Sequence, residues 1–325
     1  MKVCVLAGGI GAARFLGGMV QAIDDASSIT VIGNTGDDIR LFGLQVCPDL
    51  DSVMYTLGGG ISKERGWGRE DETFTVLDEL RAYDAKPDWF GLGDRDLATH
   101  IIRTQMLDAG YPLSAVTAAL CQRWSPGVEL LPMSDQRVET HVVVDDPAGG
   151  TSPTAIHFQE WWVRYRAEIP AREFVIIGAE SAKPAAGVIE ALESADVVVF
   201  APSNPIVSIG PILSIPGINT AIRNSTVPVV GVSPIIGGAP VRGMADACLS
   251  AVGADVSATG VAAHYGSRKD GGVLDGWLID TIDDGQRAGI SELGISCDAT
   301  NTLMDTPDIA GEVARRALEL ASDVA

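Results

Sequence analysis

The segment between residues 34 and 52 carries four aspartates close enough together to act as one chemical group. Asp37 and Asp38 directly follow a predicted strand, and Asp49 and Asp51 stand in the run Pro48-Asp49-Leu50-Asp51. Carboxylates that crowd in this way raise one another's pKa unless a cation lies between them. Because Mg²⁺ prefers a few carboxylates together with phosphate oxygens, the group predicts a metal or substrate site. The alternative is that Asp49 and Asp51 cap a helix.

Small and polar residues also gather in three loops that follow predicted strands. The turn at Gly8–Arg14 has most of a dinucleotide-binding pattern but lacks its last glycine, and Pro202–Pro211 and Ser233–Gly243 combine prolines, hydroxyls and glycines. Such loops hold an anion through backbone N–H groups without adding charge. The phosphate- or nucleotide-binding candidates are Gly9, Gly11, Arg14, Ser203, Asn204, Ser208, Gly210, Ser233 and Arg242. Stiff turns without a ligand are the alternative.

A helix predicted to begin near Asp94 aligns three polar side chains. Asp96, His100 and Arg103 follow one another at i, i+4 and i+7, which places them on one face of that helix. The start of the helix, which also offers Arg95, could hold an anion. A capping aspartate and a structural histidine explain the same residues, so both interpretations stay open at this point.

Aromatic residues make up only 6 % of the chain, yet four of them fall within His157–Arg166 beside two arginines. Trp67, in the run Arg65-Gly66-Trp67-Gly68, is a second such feature. Both segments could stack on a flat ring. Core packing or a subunit interface is the alternative, and Trp161-Trp162 would suit contact between two copies in a homodimer.

A parallel sheet would bring these loops together, because ligands of such sheets bind beyond the carboxyl ends of the strands. Buried apolar runs predict strands at 3–7, 29–32, 141–144, 174–177, 197–200 and 229–232, with a further strand-like aromatic segment after Ile156. Helical patterns cover 72–83, 97–109, 113–124 and 184–194, and a closing helix follows Thr306 as its cap and Pro307. The sequence thus predicts a single α/β domain, 1–325, with a Rossmann-like, mostly parallel sheet. Its core would cover about 1–51 and 170–325, interrupted by an inserted cap of helices and strands at about 52–169.

Charge and composition exclude several classes of function. The chain has 325 residues and a formal net charge of −20, which argues against nucleic acid or an anionic membrane surface as its main partner. Its five cysteines are scattered and form no Cys-x-x-Cys pair, so neither a zinc site nor a disulfide framework is expected. No apolar run approaches the ~20 residues of a membrane helix, and the first residues do not have the pattern of a signal peptide. The expected location is the cytoplasm.

Six motifs, taken in order along the chain, resemble those of one known family. They are Ala7–Phe15, Cys47–Asp51, Leu92–His100, His157–Val163, Pro202–Pro205 and Ser233–Gly237. The family is that of the 2-phospho-L-lactate transferases of coenzyme F420 biosynthesis, and the resemblance runs from the first strand to Tyr265 and more loosely beyond. The segments Arg65–Gly68 and Trp161–Arg166 look most similar to the actinobacterial branch, the phosphoenolpyruvate transferases.

The resemblance implies a Mg²⁺-assisted transfer of a substituted phosphate group. A guanosine diphosphate-linked three-carbon acid would donate the group to the deazaflavin Fo, and GMP would leave. In the actinobacterial branch the implied donor is enolpyruvyl-2-diphospho-5'-guanosine and the product is dehydro coenzyme F420-0. The residues alone do not fix whether the acid is the enolpyruvyl, lactyl or glyceryl form.

The same resemblance implies roles for individual residues. Asp37 and Asp49 would help hold Mg²⁺, and Asp51 and Asp37 would be catalytic. The loops at 202–210 and 233–242 would grip the guanosine diphosphate moiety. The implied contacts to Fo are Asp51, Gly91, Leu92 and Asp94. Because archaeal relatives carry a lysine at the position of Gly91, any contact at Gly91 itself would have to come from the backbone.

Two other classes of function stay open from the sequence alone. A family of related fold binds a nucleotide sugar and regulates metabolism without turning it over, and it shares the glycine-rich opening. The motifs at Leu92–His100 and His157–Val163 favour the transferase over such a regulator. A nicotinamide- or flavin-dependent oxidoreductase is disfavoured because Asn34 stands where an acidic ribose-binding residue is expected.

Overall fold

In a computed structural model that describes residues 1–325, strands and helices alternate along much of the chain. The strands are β1 (Val3–Ala7), β2 (Ile29–Gly33), β3 (Ile39–Leu41), β4 (Leu44–Val46), β5 (Glu129–Pro132), β6 (Glu139–Val144), β7 (Thr154–His157), β8 (Ala171–Ile177), β9 (Val197–Phe200), β10 (Val229–Val232), β11 (Ile235–Ile236), β12 (Ala239–Pro240), β13 (Gly276–Asp280) and β14 (Ser296–Thr300). The helices are α1 (Gly9–Ala22), α2 (Pro48–Leu57), α3 (Thr75–Ala82), α4 (Asp96–Asp108), α5 (Leu113–Trp124), α6 (Val188–Ser194), α7 (Gly210–Ser214), α8 (Ile218–Asn224), α9 (Ala245–Ala251), α10 (Ala258–Tyr265), α11 (Arg287–Glu292) and α12 (Pro307–Val324).

The buried apolar strands pair into one parallel sheet of seven strands, in the order β14-β13-β10-β9-β1-β2-β5. All five residues of β1 are buried, as a parallel strand covered on both faces requires. Val5 of β1 lies beside Val31 of β2 on one side and beside Val199 of β9 on the other. The chain order along the sheet reverses between β1 and β9, which is the doubly wound arrangement. The predicted Rossmann-like α/β class is therefore confirmed.

Alternate residues of the central strands enter two hydrophobic cores, one on each face of the sheet, because successive side chains of a strand point to opposite faces. Val3 and Val5 belong to a core of 31 buried residues beneath α1, α2, α5 and α12. Cys4 and Leu6 belong to a core of 41 buried residues beneath α6 to α11. The two cores hold the strand ends in fixed positions.

Three strands form a sheet of their own, two of them within the predicted cap and the third just beyond its end at residue 169. β6, β7 and β8 pair antiparallel in the order β7-β6-β8. The strand predicted at 174–177 as the return of the parallel sheet lies in β8, so that placement was wrong. Its residues alternate between exposed and half-buried, which suits an antiparallel sheet with one solvated face rather than a parallel strand buried on both.

Two further details differ from the expected arrangement. β5 lies within the range assigned to the cap but is the edge strand of the parallel sheet, beside β2. The aromatic segment, expected as a strand, leaves β7 at His157 and forms a π-helical turn at Glu160–Arg164, where the Trp161 side chain is fully buried. The division into a core and an inserted cap stays a prediction.

The predicted helices are present with bounds that differ by a few residues. α12 begins at Pro307, and the Thr306 hydroxyl accepts the Ile309 N–H at 3.3 Å, as expected of an N-cap. No single helix of the chain is long and apolar enough to cross a membrane. The pair Pro205–Ser214 and Ile218–Asn224, bent by 89°, passes that test of length and composition only when taken together.

Helices α1 and α12 pack so closely that Gly18 has no room for a side chain. An ideal Cβ at Gly18 would lie 2.1 Å from the carbonyl oxygen of Ala310. A Cβ at the preceding residue, Gly17, would have nothing within 4 Å. The contact with α12 therefore requires glycine at position 18 but not at position 17.

We expect Gly18→Ala to lower the free energy of unfolding by about 1–3 kcal/mol, because α1 must move away from α12. Gly17→Ala is the matched control and should raise it by about 0.4–1 kcal/mol through the loss of unfolded-state entropy. Urea unfolding of the two variants measures both. Equal effects of the two substitutions would contradict this account of the helix contact.

Candidate functional site

A cavity of about 900 Å³ lies at the carboxyl ends of the parallel strands. Its wall includes Gly8 after β1, Ser203 after β9, Ser233 after β10 and Thr302 after β14. The order of the sheet reverses between β1 and β9, and ligands of open α/β sheets bind in the crevice at such a point. Ligand cavities commonly measure ~300–1,000 Å³, so this cavity is at the upper end of that range.

The cavity brings together most of the residues that the sequence singled out. Those that line it are Gly9, Gly11, Arg14, Asp37, Asp49, Asp51, Gly91, Ser203, Asn204, Ser208, Ser233 and Arg242. Leu92 and Gly210 are outside the lining: Leu92 is buried in a small core with Leu41 and Val46, and Gly210 begins α7. The roles assigned to these residues stay predictions, but their convergence on one cavity is a property of the fold.

The glycine turn lets the backbone after β1 approach its neighbours closely. A Cβ at Gly8 would lie 2.7 Å from Oδ2 of Asp49, and one at Gly11 would lie 2.8 Å from the carbonyl oxygen of Pro202. Helix α1 begins at Gly9 without a side-chain cap, so its first N–H groups have no intrahelical partner and border the cavity. The positive end of the helix dipole therefore faces the space where an anion would bind.

Some loop side chains that were predicted to bind a ligand also fix the shape of the loops. The Ser203 hydroxyl accepts the Gly8 N–H at 3.2 Å, which ties the loop after β9 to the turn after β1. Oδ1 of Asn204 accepts the Ile206 N–H at 2.9 Å, and the Ser233 hydroxyl donates to the Ile235 carbonyl at 2.9 Å. These loops are held rigid by hydrogen bonds within the protein.

The four aspartates of the opening segment are all buried at the floor of the cavity or directly beneath it, each at most 7 % exposed. Nδ2 of Asn34 donates to Asp49 at 2.9 Å. In the sequence, Asn34 served only as evidence against binding of a dinucleotide. Burial raises the pKa of Asp49 to about 6 and, together with the charge of Asp49, raises that of Asp37. One oxygen of Asp37 and one of Asp38 are buried with no hydrogen-bond partner.

Asp51 is held by a buried arginine. Both guanidinium Nη atoms of Arg103 donate to the Asp51 carboxylate, one of them at 3.1 Å, and Arg103 is only 1 % exposed. Burial raises the pKa of Asp51, and the positive charge of Arg103 opposes that effect. The sequence analysis did not connect these two residues, which are 52 positions apart.

The hydrogen bonds also fix the tautomer of His100. Nη1 of Arg103 lies 3.2 Å from Nδ1 of His100, and since a guanidinium only donates, Nδ1 must accept. The imidazole proton is then on Nε2, which faces Oδ2 of Asp96 at 3.3 Å. The hydroxyl of Tyr55 donates to the other oxygen of Asp96 at 2.5 Å. The predicted alignment of Asp96, His100 and Arg103 on one helix face is therefore present as a buried network.

The anion that the sequence placed at the start of α4 is a side chain of the protein itself. The carboxylate of Glu72 accepts the N–H groups of Arg95 and Asp96 at 2.6 and 3.2 Å. Sequence reasoning missed Glu72, because it lies more than twenty residues before the helix that it caps.

Asp94 does not line the cavity. Its carboxylate accepts the N–H groups of Thr75 and Val76, both at 2.9 Å, and the Thr73 hydroxyl at 2.7 Å. These bonds, led by that of the Thr73 hydroxyl, lower the pKa of Asp94 to about 2. The structure thus places Asp94 outside the cavity, where it caps α3, and the predicted contact with Fo stays a prediction.

Four arginines with no carboxylate partner line the cavity. They are Arg14, Arg65, Arg166 and Arg242. Most arginines elsewhere in this acidic chain are ion-paired, such as Arg268 with Asp275 and Arg287 with Asp298. Nε of Arg65 is buried without a hydrogen-bond partner. Five aspartates line the same cavity, so it has no overall excess of positive charge. Four guanidinium groups that no carboxylate pairs with, in a chain of net charge −20, nevertheless favour an anionic ligand.

Two groups of side chains offer donor sets that suit a divalent cation. In the first, Asp37 and Asp49 lie on the cavity wall, and the unpaired oxygen of Asp37 has no protein partner. In the second, Asp51, Asp96 and His100 place their ligand atoms within 4.8 Å of one another. The second group already contains the guanidinium of Arg103, bonded to both Asp51 and His100.

Comparisons with known proteins agree with one another. The sequence model of a family described as "2-phospho-L-lactate transferase CofD" matches residues 3–295. Relatives named phosphoenolpyruvate transferase are 64 % identical in Streptomyces griseus, 61 % in Thermobifida fusca and 52 % in Mycobacterium bovis. These alignments cover 100 % of this chain and 99 %, 99 % and 100 % of the relatives.

A solved structure of a UPF0052 family protein from Bacillus halodurans superposes with a TM-score of 0.63 over 98 % of both chains. The two sequences are 17 % identical, so this likeness concerns the fold.

We expect Arg103→Met to lower the free energy of unfolding by about 3–5 kcal/mol, because it leaves the Asp51 charge buried without a partner. The double variant Arg103→Met/Asp51→Leu removes both charges and should recover most of that loss. Arg40→Met is the control, since Arg40 pairs with Asp108 at the exposed surface. It should change the free energy by less than about 1 kcal/mol in urea unfolding. A double variant as unstable as Arg103→Met would contradict the buried pair.

Proposed function

The chain belongs to the CofD family of 2-phospho-L-lactate transferases, and on that premise we propose that it transfers a phosphoenolpyruvyl group in coenzyme F420 biosynthesis. The donor is enolpyruvyl-2-diphospho-5'-guanosine, the acceptor is the ribityl hydroxyl of the deazaflavin Fo, and the products are dehydro coenzyme F420-0 and GMP. The relatives named phosphoenolpyruvate transferase support this choice of three-carbon acid over the phospholactyl group.

One observation carries the proposal. Anion-binding loops after β1, β9 and β10, four unpaired arginines and a set of buried carboxylates all meet in one cavity of about 900 Å³. A site that only stores a nucleotide has no need of so many carboxylates beside the bound phosphates. Transfer of a substituted phosphate group to a hydroxyl needs them, because carboxylates hold the cation that neutralises the diphosphate and orient the attacking hydroxyl.

The guanosine diphosphate part of the donor fits the loops after β1, β9 and β10. The N–H groups of α1 that follow Gly9, whose own N–H bonds to Asp49, would bind one phosphate, and the adjacent Ser208 would offer a hydroxyl. Arg14 and Arg242 border the same space and are free of carboxylate partners. Arg242 would stabilise the departing GMP.

Asp37 and Asp49 would hold Mg²⁺. They fit the ion because both are buried, both have a raised pKa in its absence, and Asp37 has an oxygen with no partner in the protein. When bound, Mg²⁺ neutralises negative charge on the diphosphate. We prefer this pair to Asp51, Asp96 and His100, because the guanidinium of Arg103 already supplies the positive charge there.

Asp51 would orient and deprotonate the acceptor. Arg103 fixes its carboxylate, which has about four lone-pair sites and so can still accept a hydroxyl proton. In the transfer step, the terminal ribityl oxygen bonds to the β-phosphorus, which bears the three-carbon acid. The bond from that phosphorus to the bridging oxygen breaks, GMP leaves with the oxygen, and the hydroxyl proton passes to Asp51.

The test mixes the purified chain with Fo, Mg²⁺ and the enolpyruvyl donor, and follows GMP and product mass. We expect one GMP for each product of the mass of dehydro coenzyme F420-0. If only the phospholactyl donor reacts, the chain is still a transferase of this family, but the proposed enolpyruvyl donor is wrong. If neither donor reacts and a nucleotide sugar binds tightly and stays intact, the chain is a regulator of related fold.

The same assay tests the role of Asp51. Asp51→Asn keeps the shape of the side chain but cannot take the proton, and should lower kcat about 100-fold or more. Asp108→Asn is the matched control, because Asp108 lies at the surface with 66 % of its side chain exposed. Its kcat should equal that of the wild type, and near-normal turnover by Asp51→Asn would remove the proposed base.

A further inference from the structure

Trp67 lies on the wall of the cavity with much of its ring uncovered. It is 41 % exposed, the largest exposed fraction of any tryptophan in the chain, whereas Trp161 and Trp277 are at most 1 % exposed. Leaving an indole uncovered forgoes the stabilisation that its burial would give. An uncovered indole inside a ligand cavity is therefore a surface that a ligand can cover.

The loop that carries Trp67 is held in place on both sides of the ring. The Ser62 N–H donates to the Gly68 carbonyl at 3.0 Å, which closes the loop at its base. The guanidinium carbon of Arg65 lies 5.5 Å from the centre of the Trp67 ring, and Nη2 of Arg65 donates to the Arg69 carbonyl at 2.7 Å. A cation stacked on one face fixes the indole and leaves the rest of the ring to the cavity.

Arg69, at the end of the loop, contacts the half of the site that holds Asp51. Nη1 of Arg69 donates to the Arg95 carbonyl at 3.1 Å, next to the start of α4. The same guanidinium lies 4.8 Å from the ring centre of Trp124, which packs at 4.7 Å against Tyr55. The Tyr55 hydroxyl donates to Asp96, which lies in one cluster with Asp51 and His100. The Trp67 loop is thus anchored to the acceptor half of the cavity. Its other edge touches the donor half, where Nη1 of Arg242 donates to the Arg65 carbonyl at 3.3 Å, so a test of Trp67 must separate the two ligands.

Gly91 explains why this ring can lie where it does. An ideal Cβ at Gly91 would lie 2.9 Å from Cη2 of Trp67, so a side chain there would displace the indole. Gly91 is not among the glycines with positive φ, so its backbone conformation does not require glycine. Instead, the close contact with Trp67 explains why this position holds a glycine.

We propose that Trp67 is the residue that selects the acceptor, by stacking on its flat fused ring, and that Gly91 keeps the space for the indole. The inference rests on the proposed function, in which the acceptor is the deazaflavin Fo. It adds a specificity-determining residue that makes no contact with the reacting phosphorus. Guanine is also a flat ring, so the test must separate acceptor from donor.

The experiment measures equilibrium binding of Fo and, separately, of GDP by titration calorimetry with the full chain. Trp67→Ala should raise the Kd for Fo about tenfold or more, as removal of a stacking aromatic does elsewhere, and should leave the Kd for GDP unchanged. Trp67→Phe should keep part of the affinity. Trp89→Ala is the matched control, since Trp89 is half-buried nearby and does not line the cavity.

A second pair of variants tests the role of Gly91. Gly91→Ala should weaken Fo binding when Trp67 is present and have no further effect in Trp67→Ala, because the two residues act through one contact. Equal effects of Gly91→Ala in both backgrounds would overturn that role.

The remaining outcomes each decide the question. A loss of GDP affinity in Trp67→Ala with Fo affinity intact would assign the indole to the donor base and overturn the inference. Unchanged affinity for both ligands in Trp67→Ala would overturn it as well. In either case the wild type still binds Fo and the proposed function stands. A wild-type chain that binds no Fo would overturn the proposed function together with the inference.

Discussion

Five aspartates and a single buried guanidinium lie at the floor of the cavity or directly beneath it, and the rest of the site depends on this imbalance of charge. Asp37, Asp38, Asp49 and Asp51 are each at most 7 % exposed, the side chain of Asp96 is 15 % exposed, and Arg103 is the one arginine buried among them. Burying unpaired carboxylates is costly, so such a group persists only where the surroundings offset the charge. Arg103 does so for Asp51, and Asn34 and the N–H groups near Gly9 partly do so for Asp49. Asp37 and Asp38 each keep a buried oxygen with no partner, and Asp49 is only partly compensated. Of these three, Asp37 and Asp49 face the cavity.

This arrangement divides the cavity into two halves with different chemistry. On the side of β9 and β10, neutral N–H groups, hydroxyls and unpaired arginines face the space and suit a diphosphate. On the side of α2 and α4, Tyr55 is hydrogen-bonded to Asp96, Arg103 is hydrogen-bonded to Asp51 and His100, and Nε2 of His100 lies 3.3 Å from Asp96. A transfer reaction needs both halves: one holds the charged donor still, and the other orients the attacking group.

Much of this could be predicted from the sequence, because the features involved are local. Buried β-branched runs predict parallel strands, and polar residues just after them predict where ligands bind, so Gly9, Asp37 and Ser203 meet as expected. What could not be predicted depends on pairings between distant residues. Glu72, which precedes α3, caps α4, and Asp94, which precedes α4, caps α3. Arg103 bonds to Asp51, 52 positions away. β8 pairs with the antiparallel sheet. No spacing rule relates such partners, since the fold alone brings them together.

The location of the cation tests this account most directly. Binding of Mn²⁺ in place of Mg²⁺, in the presence of GDP, can be followed by electron paramagnetic resonance in the wild type, Asp49→Asn and Asp96→Asn. If the uncompensated charge lies at Asp37 and Asp49, Asp49→Asn loses the tight site and Asp96→Asn keeps it. Tight binding that survives Asp49→Asn and disappears in Asp96→Asn would place the cation among Asp51, Asp96 and His100, and would contradict the role given to Arg103.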